Sequence, residues 1–199
     1  MLDMGYINKL SEYVGKKINC SIDEKRIVIF ADAEVNYILN KLDTRYILSM
    51  SERGVKTKLA EFHSKDEMVR SFSFWMRGLL GNSIDYPNVS KFEDVENLDV
   101  LENLIKQYTN CNLYSINQMS GDKIVLTVIE EDFYELSFVD RTQKKHLIEH
   151  RERAPFIFER FYTEIIHYGE MLKRLEDYTI IFDEKLSYEN KLQLLGYSK

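Results

Sequence analysis

Apolar side chains recur every three or four residues at the start of the chain, a spacing that places them on one face of a helix. Four positions share it: Ile7, Leu10, Val14 and Ile18. Gly15 is suited to end such a helix. The pattern predicts an N-terminal amphipathic helix. The branched run at residues 27–30 is then either a strand or the end of a buried turn.

Short apolar runs next predict three strands, at residues 37–42, 45–50 and 55–62. Gly54, before the third strand, can adopt the positive φ that a tight hairpin requires. Ser64, followed three residues later by Glu67, is a capping box that begins a helix running to about residue 80. The apolar face of this helix comprises Met68, Phe72, Trp75, Met76 and Leu79.

The second half of the chain has a comparable order of elements. A helix is predicted from residue 93 to 108, with Glu93 and Asp94 in its first turn, where they favour the helix dipole. Three more strands are predicted at residues 113–119, 123–129 and 134–139. Pro155 is expected at the first position of a long helix. An extended piece at residues 178–182 and a last helix at residues 188–195 complete the prediction.

These elements predict an α+β fold of two similar halves, each a helix, a three-stranded antiparallel meander and a helix. The first half covers residues 1–82, a linker with Pro87 covers residues 83–92, and the second half covers residues 93–199. The halves could share one sheet or core and form one compact domain. Their agreement lies in order and length more than in residue identity, so the pattern suggests an internal repeat and leaves a true duplication open.

Charge and composition narrow the class of partner. The net charge of −6 argues against nucleic-acid binding, which clustered Lys and Arg supply, and favours a protein partner with a basic surface. Residues 1–6 lack the basic and apolar segments of a signal peptide, and no apolar run is long enough to span a bilayer. Cys20 and Cys111 are expected to be unpaired thiols. We therefore expect a cytoplasmic protein without membrane contact.

His146 and His150 are four residues apart, a spacing at which two histidines on a helix can face one metal ion. Their order with Glu149 resembles an inverted zinc-protease motif only loosely. The flanking residues are basic and would repel a cation: Lys144, Lys145, Arg151 and Arg153. A solvated basic helix face is therefore the favoured interpretation, and a metal-dependent enzyme of unfamiliar type is the alternative.

No catalytic signature is present elsewhere in the sequence. There is no nucleophile elbow, no glycine-rich phosphate loop and no dinucleotide fingerprint. Ser64 and Glu67 are accounted for as helix caps, and His167 is interpreted as a packed or boundary residue of an apolar helix. The sequence therefore predicts no catalytic residue, no metal and no cofactor.

An acidic turn is the predicted contact surface. Glu130, Glu131 and Asp132 are consecutive, and side chains in a tight turn diverge rather than converge on a cation. We predict that these three acids and the neighbouring Tyr134 contact a protein partner.

Residues 46–54 and 62–67 resemble a known arrangement. The strand, the Glu52-Arg53-Gly54 turn, the next strand and the capped helix look like those of several families of bacterial polymorphic-toxin immunity proteins. The resemblance implies an α+β antitoxin that binds and neutralises a cognate toxin domain. Because such families bind through variable surfaces, it assigns no site residue here.

The sequence thus favours a binding protein without catalytic activity, most concretely an immunity protein whose toxin has a basic surface. A metal-dependent enzyme using His146 and His150, or a regulatory adaptor, are the alternatives. The oligomeric state is not predicted.

Overall fold

The computed structural model describes residues 3–197. It has the predicted α+β composition. The helices are α1 (Met4–Val14), α2 (Lys65–Leu80), α3 (Leu98–Tyr108), α4 (Phe156–Phe182) and α5 (Tyr188–Leu194), with a 3₁₀ turn at Val89–Lys91. The strands are β1 (Cys20–Ile22), β2 (Arg26–Phe30), β3 (Val35–Leu42), β4 (Arg45–Glu52), β5 (Val55–Phe62), β6 (Tyr114–Ile116), β7 (Lys123–Glu130), β8 (Phe133–Val139) and β9 (Lys145–Glu152).

The described chain divides into two compact units. The first contains the residues up to Ser83 together with Glu176–Leu186. The second contains Ile84–Leu175 together with the residues from Ser187 onward. Helix α4 contributes residues to both units. Within residues 3–197, no helix is long and apolar enough to cross a membrane.

The first unit is built on a five-stranded antiparallel sheet in which each strand pairs with its neighbour along the chain, from β1 to β5. Residues 27–30 lie in β2, so the strand interpretation of this run is confirmed. One face of the sheet contributes Leu39 and Leu48, which pair across β3 and β4, to the core. The sheet therefore has two strands more than the predicted three-stranded meander.

Helices α1 and α2 supply the rest of the first core. Helix α1 begins where Asp3 accepts a hydrogen bond from the Tyr6 amide, and it ends at Gly15, whose φ is 81°. Helix α2 has the predicted cap, because Ser64 Oγ accepts from the Glu67 amide at 3.1 Å. The Glu67 carboxylate accepts in turn from the amide of His63. Leu10, Met68, Phe72 and Met76 are all fully or almost fully buried.

Strands β4 and β5 are joined by a two-residue turn. Glu52 pairs with Val55, and both intervening residues are left-handed, with φ of 49° at Arg53 and 83° at Gly54. These are the dihedral signs of a type I′ turn, which matches the twist of the two strands. The turn is fixed on one side by an ion pair of 2.7 Å between Arg53 and Glu34.

The second unit is built on a four-stranded mixed sheet of order β6-β7-β8-β9. Strand β6 runs parallel to β7, whereas β7, β8 and β9 pair in antiparallel fashion. This sheet is not the predicted meander, and it differs from the first in strand number and direction. The predicted repeat of two similar halves is therefore not confirmed. Strand β6 is also shorter than the predicted strand at residues 113–119.

The segment that contains His146 and His150 is strand β9, whereas their spacing suggested a helix with a basic face. Lys145, His146 and Leu147 pair with three consecutive residues of β8. The pairing is interrupted twice by register shifts. These shifts break the regular alternation of inward and outward side chains, so the sequence lacks the period of two that would predict a strand. The helical interpretation of this segment is wrong.

Two further boundaries differ from the sequence prediction. Helix α3 begins at Leu98 and not at residue 93, because the Asn97 side chain accepts from the amide of Asp99 at 2.8 Å and so caps the helix there. Residues 178–182 are helical rather than extended, because Tyr178 stacks on Phe182 at 4.6 Å, a contact between residues four apart on one helix face. The final helix, α5, lies where the sequence predicts it.

The second core extends into the segment that the sequence predicts as a linker. Phe92 is fully buried and stacks on Tyr162 of α4, with ring centroids 4.2 Å apart. The Tyr162 hydroxyl donates to the Pro87 carbonyl. Residues 84–92 are thus a packed part of the second unit.

Candidate functional site

The predicted acidic turn lies at the end of the β7–β8 hairpin. Val128 pairs with Tyr134 and Glu130 pairs with Phe133, which leaves Ile129 as an extra residue in a bulge. Val128 and Ile129 are 40% and 37% exposed. Two branched apolar side chains are therefore partly exposed to water directly beside the acids.

The three acids of this turn have different surroundings. Both oxygens of Glu130 accept from Arg151, with the guanidinium nitrogens 2.9 Å away. Glu131 and Asp132 are exposed, and Asp132 takes the left-handed φ of 63° that closes the hairpin. The negative charge that is open to a partner therefore lies on Glu131 and Asp132.

Tyr134, the fourth predicted contact residue, is a core residue. It is 8% exposed and packs edge-on against Phe158, with centroids 4.8 Å apart. Burial raises the pKa of its hydroxyl, and the nearby Asp132 raises it further. Tyr134 lines a cavity of about 270 Å³ together with Asp132, Glu96 and Arg153, so it offers a partner little beyond one edge.

Two arginines lie against the ring that follows the acidic turn. The guanidinium carbons of Arg151 and Arg153 are 4.5 Å and 4.4 Å from the centroid of Phe133, within the range of cation–π attraction. The end of the hairpin is therefore a mixed surface, in which arginines stacked on an aromatic ring flank the exposed acids and apolar residues.

His146 is held by Asp140. The imidazole Nε2 lies 3.0 Å from Asp140 Oδ2, and Asp140 is 2% exposed. Burial alone would raise the pKa of Asp140, but hydrogen bonds from Thr142, His146 and two backbone amides outweigh it and hold the pKa below its usual value. The His146 ring also contacts Phe138 and Tyr197.

His150 belongs to a different cluster. Its Nδ1 lies 3.1 Å from Glu135, whose carboxylate also forms an ion pair with Lys145. Burial would raise the pKa of Glu135, but its bonds to Lys145 and His150 leave it lowered. Each histidine therefore has its own carboxylate partner.

The strand geometry separates the two histidines. Residues four apart in a strand are about 13 Å apart along the backbone, whereas in a helix they are neighbours. Among residues 3–197, no group of three or more His, Cys, Asp or Glu side chains is arranged to hold a metal ion. The helical spacing on which the metal-enzyme alternative depends is absent from the structure.

A polar cleft on the second unit contains residues that the sequence did not single out together. It has a volume of about 660 Å³ and opens to solvent. Helix α4 lines it with Glu159, Arg160, Thr163, Glu164 and His167, β9 with Glu149, and the segment before α3 with Tyr86.

Two polar contacts organise the cleft. Arg160 forms an ion pair with Glu164 at 2.7 Å, one helical turn along α4. The Tyr86 hydroxyl lies 3.4 Å from His167 Nδ1. Burial lowers the pKa of His167; Glu164 opposes this shift, whereas Arg174 and Arg160 reinforce it. His167 is thus neutral near pH 7 and serves as a hydrogen-bonding group rather than a cation.

One signal in the sequence could have located this cleft. Arg160, Thr163, Glu164 and His167 fall at positions i, i+3, i+4 and i+7 of α4, so they form a polar stripe along one face of the helix. No local signal places Tyr86 or Glu149 beside that stripe, because both come from other elements.

No known protein family, no curated protein and no solved structure matches this chain.

Proposed function

We propose that this chain is a binding protein that neutralises a cognate bacterial toxin by direct protein–protein contact, acting in the cytoplasm of the producing cell. The observation that carries the proposal is the end of the β7–β8 hairpin, where Val128 and Ile129 stay exposed beside Glu131 and Asp132. Branched apolar residues that folding leaves in water favour burial against a partner.

The two acids beside this apolar pair that lack an ion-pair partner in the described part of the chain favour a protein with basic residues. Glu131 and Asp132 have no ion-pair partner among the described residues, so they can form new pairs with Lys or Arg of a toxin domain. Exposed charges at an interface mainly steer the encounter and set its rate. Burial of Val128 and Ile129 would provide the short-range part of the affinity.

The resemblance of the Glu52-Arg53-Gly54 hairpin and its capped helix to immunity proteins supports the same proposal. In the structure this turn is exposed and fixed by the Arg53–Glu34 ion pair. The turn is a structural element of the first unit, and we assign the partner contact to the β7–β8 hairpin.

The test begins with the gene beside this one, which the proposal expects to encode a toxin domain. The domain is expressed in a bacterial host from an inducible promoter, with or without this chain, and growth is followed. We expect the chain to restore growth and the purified proteins to form a stoichiometric complex. Continued toxicity without complex formation, at equal expression of a folded chain, contradicts the proposed function.

The contact surface is tested separately by charge reversal. Glu131→Lys with Asp132→Asn, an asparagine being tolerated at the left-handed φ of position 132, should weaken the complex about tenfold, mainly through slower association, and should lower its salt dependence. Glu12→Lys with Glu24→Gln changes the net charge equally at exposed positions of the first unit and is the matched control. Equal affinities for both double variants would remove the hairpin from the interface.

A further inference from the structure

The cleft lined by helix α4 carries more negative than positive charge. Three carboxylates, those of Glu149, Glu159 and Glu164, and one guanidinium, that of Arg160, line it. Arg160 is paired with Glu164. Glu149 and Glu159 have no ion-pair partner among residues 3–197, so the cleft presents two uncompensated carboxylates.

Aromatic groups flank these carboxylates. Phe156, at the start of α4, is 55% exposed although it lines the cleft. Tyr86 lies on the same lining, with its hydroxyl 3.4 Å from His167 Nδ1. An aromatic face attracts an organic cation through its quadrupole, and neighbouring carboxylates strengthen the attraction.

The size and polarity of the cleft suit a small ligand. A volume of about 660 Å³ lies within the range of about 300–1,000 Å³ usual for small-molecule sites. The neutral His167, the Tyr86 hydroxyl and the Thr163 hydroxyl add hydrogen-bonding groups without adding positive charge.

We propose that this cleft binds a small organic cation carrying an alkylammonium or guanidinium group. Glu149 and Glu159 would pair with its charge, and Phe156 and Tyr86 would cover its carbon chain. This proposal does not depend on the toxin-binding function, because the cleft is lined by other residues than the β7–β8 hairpin end.

Two probes test it by isothermal titration calorimetry on the full chain: spermidine, and N-acetyl-arginine amide as a mimic of an arginine side chain. We expect saturable one-site binding of at least one probe in 150 mM salt, and none of citrate. Glu149→Gln and Glu159→Gln should each weaken binding about tenfold, as expected for the loss of one charge-assisted contact.

The matched control is Glu93→Gln, which removes one exposed negative charge, without an ion-pair partner in the described chain, from the same unit and outside the cleft lining. It should leave affinity within about twofold. Equal weakening by Glu93→Gln and Glu159→Gln would mean diffuse attraction to an acidic protein and would overturn the proposal. Absence of saturable binding by both probes would overturn it as well, provided that circular dichroism shows the chain folded.

The source of the cation is distinguished once a toxin complex is available. A probe that still binds the complex identifies the natural ligand as a free cation. Loss of probe binding in the complex identifies it as a Lys or Arg side chain of the partner, and the partner interface then extends from the β7–β8 hairpin to the cleft. The growth test uses the unmodified cleft, so the toxin-binding proposal can fail while the cation site stands, and the reverse also holds.

Discussion

Asp140 and His146 form a pair in which the carboxylate Oδ2 lies 3.0 Å from the imidazole Nε2. The other oxygen, Oδ1, accepts from the Thr142 amide at 2.8 Å, the Thr142 hydroxyl at 2.5 Å and the Lys144 amide at 3.1 Å. One buried carboxylate thus fixes the turn between β8 and β9 and the first histidine of β9. We therefore expect this carboxylate to stabilise the second unit.

Asp140→Ala should lower the free energy of opening of the second unit by about 2–4 kcal/mol, because four partly buried hydrogen bonds lose their charged acceptor. The pKa of Asp140 is lowered in the folded chain. Its contribution is therefore complete above the ordinary pKa of 3.8 and is lost as pH falls below that value. Hydrogen exchange of β8 amides measures both effects. If Asp140→Ala lowers the free energy of opening by the same amount at pH 3 and at pH 6, the stabilising role of the Asp140 carboxylate is contradicted.

His167 should titrate below the ordinary value of 6.5, because burial disfavours its charged form. The unfolded chain then binds more protons between the two pKa values, so the second unit loses stability as pH falls below 6.5. Proton NMR gives the midpoint, with His167→Gln identifying the resonance. A midpoint at or above 6.5 would contradict this environment, and His167→Gln should flatten the pH dependence of stability in that range.

Phe92→Ala should destabilise the second unit by about 3–5 kcal/mol, the cost of removing a fully buried aromatic ring. Phe92 is 0% exposed and stacks on Tyr162. Ser90→Ala, at an exposed position of the same segment, should stay within about 0.5 kcal/mol. Hydrogen exchange of β7 and β8 amides measures the difference, and equal protection in both variants would mean that this segment adds nothing to the core.

Gly54→Ala should destabilise the first unit by about 1 kcal/mol, because its φ of 83° is costly for a residue with a Cβ. No atom lies within 4 Å of an added Cβ, so the cost comes from the backbone alone. Gly54→Asn should destabilise the first unit less than Gly54→Ala, since asparagine adopts a left-handed φ more readily than alanine.

Trp75 is the single tryptophan of the chain and packs against Tyr37 in the first unit. Urea unfolding followed by its fluorescence therefore reports on that unit. Equal midpoints for Gly54→Ala and the unmodified chain would show that the turn does not require the left-handed conformation.

Local signals in the sequence predicted the fold where one segment determines its own structure. Ser64 with Glu67, and Gly54 between two strands, act through neighbouring backbone groups, and both have the predicted geometry. Gly15, whose φ is 81°, ends α1 in the same way. Such features need no partner from elsewhere in the chain.

The sequence prediction failed where distant contacts decide the structure. Strand β9 was obscured because two register shifts break its alternation, and only its pairing with β8 defines it. The burial of Phe92 depends on Tyr162, seventy positions further along the chain. For the candidate site, the acids of the hairpin could be located from sequence, but the burial of Tyr134 and the joining of Tyr86 to α4 could not.

The first unit is discontinuous in sequence, and this affects the order in which the chain can fold during synthesis. Tyr178 and Phe182 pack against Tyr13, and Arg70 pairs with Glu184 at 3.0 Å. A ribosome therefore completes Ile84–Leu175 of the second unit before it releases the segment that finishes the first core. In a nascent chain that ends at residue 83, the apolar surface that residues 176–186 cover in the complete unit is exposed. The helices and sheet of the first unit can therefore complete their core only after residues 176–186 have been synthesised, and until then this surface must be protected from aggregation.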